Sequence, residues 1–101
     1  MAALQTFAPA YTTGITVAPG AVAANSTIGF DSKSICLTNL GAITVYVRTF
    51  QRSAGVVAAT AADYPVLPLT QVTISKPDGH DAISYIGAAG ASLHIIAGEG
   101  W

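Results

Sequence analysis

The chain is 101 residues long, 51% hydrophobic, with four Lys and Arg against five Asp and Glu and a formal net charge of −1. That length suits one domain, and a balance so close to neutral supplies no long-range field to attract nucleic acid or an anionic membrane. Charged residues make up 9% of the chain, far below the roughly one quarter usual in soluble domains. Thr, Ser, Ala and Gly take their place on the polar positions, and such a surface packs against other protein without the desolvation cost of burying ions. The single cysteine, Cys36, cannot form an intrachain disulfide, which suits a reducing cytoplasm. The first cation is Lys33, so no basic region opens a secretory signal. No apolar window has the length of a membrane-spanning helix.

Residues 1–10 are small and apolar, with Leu4 and Phe7 as large anchors beside Met1. They read as the start of an extended N-terminal arm. Whether Leu4, Phe7 and Tyr11 cover their own core or dock on a neighbouring subunit is open at this level. From Tyr11 to Val17 the chain is β-rich and stops at Ala18-Pro19-Gly20. The arm and first strand are placed at 1–20 and the main domain at 21–101. Residues 21–27 are ambiguous, and Thr27-Ile28-Gly29-Phe30 reads as a short strand.

In 34–40, Ile35, Leu37 and Asn39 share one side and Cys36, Thr38 and Leu40 the other. In 43–50, Ile43, Val45 and Val47 alternate with Thr44, Tyr46 and Arg48. Period-two alternation of β-branched residues marks half-buried strands, and 34–50 reads as a β-hairpin turning at Asn39-Leu40-Gly41-Ala42. Residues 51–62 form a short helix, a long loop or an irregular edge strand. Tyr64-Pro65-Val66-Leu67-Pro68 lies at a sheet edge or crosses between sheets, because proline has no backbone donor.

Alternation resumes over 70–75, with Val72 and Ile74 inward. Strands at 82–86 and 92–96 follow, read together as a terminal hairpin. Six or seven short strands at this spacing, without a helix of any length, predict an all-β single-domain antiparallel β-sandwich, jelly-roll-like or Ig-like.

Ile35-Cys36-Leu37-Thr38-Asn39-Leu40-Gly41 followed by Val45-Tyr46-Val47-Arg48, Tyr64-Pro65-Val66-Leu67-Pro68 leading into Gln71-Val72-Thr73-Ile74, then Asp81-Ala82-Ile83-Ser84-Tyr85-Ile86-Gly87 and Ser92-Leu93-His94-Ile95-Ile96-Ala97-Gly98 carry a resemblance. In order and turn chemistry they resemble the small capsid decoration, or cement, proteins and head accessories of tailed bacteriophages. Residues 1–20 lie outside it. The resemblance implies a homo-oligomer, trimer or dimer, seated on the capsid exterior through contacts with the major capsid protein and assembled in the host cytoplasm. It carries no catalytic motif.

The residues themselves offer little chemistry. Asp78-Gly79-His80-Asp81 with His94 contains metal-ligand types, but Asp-Gly is ordinary turn chemistry and no ligand spacing is matched. Cys36 sits mid-strand as a small apolar group, and no nucleophile elbow or phosphate loop is present. The expectation is therefore no enzyme, no cofactor and no metal. Arg48 and Arg52 are candidate polar rim contacts, Leu4, Phe7 and Tyr11 candidate arm contacts, and Trp101 a candidate interface anchor. Two alternatives stand beside decoration. One is a carbohydrate-binding or host-attachment appendage displaying Tyr11, Tyr46, Tyr64, Tyr85 and Trp101. The other is a tail or connector component.

Overall fold

A computed structural model describes residues 8–9, 14–28, 34–77 and 79–99. The strands are β1 (Ala8–Pro9), β2 (Ile15–Val17), β3 (Ala24–Thr27), β4 (Ser34–Asn39), β5 (Val45–Phe50), β6 (Tyr64–Val66), β7 (Gln71–Ser75), β8 (Ala82–Ile86) and β9 (Leu93–Glu99). They form two antiparallel sheets. Sheet A runs β9-β4-β7, with β1 and β2 both beside the free edge of β9, at its two ends. Sheet B runs β3-β8-β5-β6.

Successive partners nest: β2 pairs with β9, β3 with β8, β4 with β7, and β5 with β6. This is a long hairpin folded over on itself into two layers, the jelly-roll arrangement, and it excludes the immunoglobulin order left open above. The all-β sandwich expected from the strand spacing is present. The two described pieces of the arm region, β1 and β2, are edge strands of sheet A.

The core lies between the layers. Ile35, Leu37, Leu93 and Ile95 from sheet A meet Val45, Val47, Val66, Ile83 and Tyr85 from sheet B, with Val72, Ile74 and Val17 packed at the margin. The faces read from alternation in β4, β5 and β7 are the ones observed.

The pairing is not. β4 and β5 do not form a hairpin; they lie in opposite sheets, as do β8 and β9. Alternation states which side of a strand is apolar, and two apolar rows are buried equally well side by side or facing each other across a core. Here they face each other. Asn39 turns the corner: its Nδ2 donates to the carbonyls of Ile43 (2.8 Å) and Val66 (3.0 Å), and its Oδ1 accepts from the Gly41 amide at 3.0 Å. One side chain thus satisfies backbone groups that a hairpin ladder would have satisfied. Its near-complete burial follows from that role.

The pair that remains a true hairpin, β5–β6, is joined by the long connection 51–63. That segment is a 3-10 turn, Arg52–Ala54, then irregular chain ending in a turn closed by the Asp63 amide on the Thr60 carbonyl. It lies along the outer face of sheet B, where the Ala59 amide donates to Ser84 Oγ at 2.7 Å. This cover explains why Ser84, on the side of β8 facing away from the core, is buried. β6 is an edge strand holding Pro65, and 67–70 then crosses to sheet A, so the proline-rich segment does both things expected of it. The short strand expected at 27–30 sits earlier, at Ala24–Thr27; Gly29 and Phe30 are outside the described residues.

Candidate functional site: a charge-free end of the sandwich

Because alternate connections leave the same end of a jelly roll, segments 18–23, 40–44, 67–70 and 87–92 gather at one end. Backbone bonds knit them: the Gly87 amide to the Gly20 carbonyl (2.9 Å), Leu40 to Ser92 (2.9 Å) and Asn39 to Thr70 (2.8 Å). Packing is close beneath. A methyl group on Gly87 would stand 3.2 Å from Ala91 Cβ and 3.3 Å from Pro19 Cβ.

These four segments contain no Asp, Glu, Lys, Arg or His. They do contain exposed aliphatic side chains: Val22 is 83% exposed, Leu69 76%, Leu67 56% and Leu40 52%. Leu69 also holds a left-handed backbone, φ 56°, a conformation that costs a residue with a side chain about 1–2 kcal/mol. A leucine that is both exposed and strained contributes little to its own fold. The described charged residues Arg48, Arg52, Asp63, Lys76, Asp81 and Glu99 all belong to the far half of the strands, the opposite loops or the 51–63 segment.

Of the residues singled out from sequence, Arg48 and Arg52 lie on or beside the outer face of sheet B and have intrachain partners. Arg48 Nη1 is 3.6 Å from Asp63 Oδ1. Arg52 donates from Nη1 to Asn25 Oδ1 (3.2 Å) and from its amide to Asp81 Oδ1 (2.9 Å). Both fasten the 51–63 segment to the sheet. Leu4, Phe7, Tyr11 and Trp101 are outside the described residues.

Of the candidate metal cluster, Asp78 lies outside the described residues, and His80 and His94 are not brought together. The ring of His80 bonds Thr49 Oγ1 through Nδ1 (2.7 Å), while that of His94 bonds Thr16 Oγ1 (3.0 Å) on sheet A. His80 precedes the start of β8 and His94 follows the turn after its end, so the length of β8 separates them. Among the described residues no three His, Cys, Asp or Glu side chains come together. The tyrosines are dispersed too. Tyr85 is buried in the core with its hydroxyl 2.6 Å from Ser26 Oγ, Tyr46 is half-buried, and Tyr64 is exposed at the sheet B edge. A shallow cleft of about 240 Å³ lies between β5, the 51–57 segment and His80. It falls below the size of ordinary small-molecule sites.

Val22, Leu40, Leu67 and Leu69 were not selected by sequence reasoning. Their signal was available: turns ordinarily carry polar residues, and Leu67-Pro68-Leu69 and Asn39-Leu40-Gly41 place leucines in turns.

No protein-family model matches this chain, and no curated protein matches it. A solved chain reported as "Bacillus endospore appendages form a novel family of disulfide-linked pili" is similar at 16% identity and a TM-score of 0.45, over 95% of this chain and 88% of that one.

Proposed function

We propose that this protein is a structural subunit of a larger particle: a homo-oligomeric decoration, or cement, protein that seats its charge-free end on a phage capsid and stabilises it. The observation that carries the reading is the exposure of Val22, Leu40, Leu67 and Leu69 in end segments that hold no ionic residue, whereas the exposed Val56 and Val57 lie in 51–63, which holds Arg52 and Asp63. Covering that end strips water from apolar groups and strands no charge.

Magnitude decides how it would be used. Scaled by their exposure, burial of these four side chains is worth about 4–8 kcal/mol gross. Association itself costs about 4–15 kcal/mol. One copy alone therefore binds weakly, and tight attachment requires several linked copies acting together. A homo-oligomer meets that requirement. Arg48 and Arg52 act in this picture by holding the 51–63 segment to sheet B, remote from the docking end.

The test is co-sedimentation of the full chain with capsids that lack it. The wild type is expected to pellet with the capsids, and Leu40→Asp combined with Leu69→Asp is expected to remain in the supernatant with an unchanged circular dichroism spectrum. Equal pelleting of the two proteins, or no pelleting of the wild type, overturns the proposal.

A further inference from the structure

We infer that two copies of this chain pair through β7, edge to edge and antiparallel, so that sheet A continues across a twofold axis. The inference rests on the reading that copies associate and names the contact by which they do so.

A sandwich of two open sheets has four edges, and an unprotected edge strand is a template for another strand. Two edges here are blunted by proline, and the third, β3, is shorter than β7. β6 is three residues long with Pro65 at its centre. The edge beside β9 carries two short strands, of two and three residues, and contains Pro9. β3 is four residues long against five in β7, and the Arg52 guanidinium crosses the outer face of sheet B to bond its Asn25 side chain. β7 has no such device: Gln71–Ser75 is unbroken, contains no proline, glycine or charge, and pairs with β4 alone among the described residues. Alternate residues of such a strand direct N–H and C=O groups away from the sheet, and an extended backbone is the partner that satisfies them.

Self-complementarity selects a second copy as that partner. Antiparallel pairing centred on Thr73 sets Val72 opposite Ile74 on both sides of the axis, in the half-buried inner row. On the outer row Thr73 meets Thr73 and Gln71 meets Ser75. Cross-strand pairs of β-branched residues and of threonines are favourable. Lys76 falls opposite Thr70, so no like charges meet. Centring on Ile74 instead would set Lys76 against Val72, and centring there or on Val72 pairs three residues of β7 rather than all five, which favours Thr73 as the centre. The contact is isologous, as a twofold dimer requires.

The experiment uses the full chain in a Cys36→Ala background, with single cysteines on β7 and mild oxidation. Thr73→Cys is expected to form a disulfide-linked dimer, because the two positions face each other at a separation a disulfide can span. Gln71→Cys alone is expected not to, whereas a mixture of Gln71→Cys with Ser75→Cys is expected to cross-link as a mixed dimer. In parallel, Thr73→Lys in the otherwise wild-type chain is expected to raise the dimer dissociation constant at least about tenfold with its circular dichroism spectrum unchanged. Cross-linking at position 71 as readily as at 73, or sedimentation of Thr73→Lys identical to wild type, overturns the pairing. Thr73→Cys dimers accompanied by no capsid binding overturn the proposed function and leave the pairing standing; capsid binding by a chain that fails to cross-link does the reverse.

Discussion

Leu69 is where stability and the proposed docking role pull in opposite directions, and Leu69→Asn separates them. At φ 56° the leucine carries a left-handed cost of about 1–2 kcal/mol. Asparagine tolerates that conformation through local hydrogen bonding, without the extra unfolded-state entropy that glycine brings. Leu69 is 76% exposed, so deleting its side chain forfeits only about a quarter of the roughly 1.5–3 kcal/mol that full burial yields. The balance is a gain of about 0.5–1 kcal/mol. In a domain of this size that raises the melting temperature by about 2–8 °C. Docking moves the other way: burial of the exposed three quarters of Leu69 is lost, which weakens each contact by about tenfold. Thermal unfolding followed by circular dichroism reads the first effect, and capsid co-sedimentation of the same preparation reads the second. A lower melting temperature, or undiminished capsid binding, would refute the reasoning.

Three further outcomes follow from the geometry. Asn39→Ala leaves the Gly41 amide and the Ile43 and Val66 carbonyls without their partner and is expected to cost at least about 3 kcal/mol in urea unfolding; a loss under 1 kcal/mol, roughly one ordinary hydrogen bond, would contradict the corner role. Gly87→Ala brings a methyl group within 3.2 Å of Ala91 Cβ and 3.3 Å of Pro19 Cβ and is expected to cost about 1 kcal/mol by the same measurement; no loss, or a gain, would show that the loops yield to it. Ser84→Ala frees the Ala59 amide, so hydrogen exchange at Ala59 should accelerate while amides of β4 and β9 stay protected; unchanged exchange would show that the 51–63 segment is held by other means.

The inward faces of this fold were legible in the sequence. Ile35 and Leu37, Val45 and Val47, and Val72 and Ile74 alternate with polar or small residues, and each pair is turned toward the core. Partners were not legible, for a physical reason. Alternation reports a face and contains nothing about which strand lies beside it, so 34–50 and 82–96 read as hairpins although both span the two sheets. The residue that decides the first case, Asn39, looked like an ordinary turn former, and its three bonds reach groups up to 27 positions away. The candidate site was hidden similarly. Val22, Leu40 and the Leu67–Leu69 pair lie in three separate connections, and only the jelly-roll connectivity carries them to one end. The low ionic content pointed to a surface suited to protein contact but not to where on the molecule that surface lies.

The claim on which the account depends is that the charge-free end is covered by other protein in the assembled state. Hydrogen-exchange footprinting of the full chain, free and bound to capsids, tests it directly. Amide protection is expected to rise on binding within 18–23, 40–44, 67–70 and 87–92 and to stay level within 51–63. Protection confined to the 51–63 segment, with the four end loops exchanging as fast as in the free protein, would contradict it.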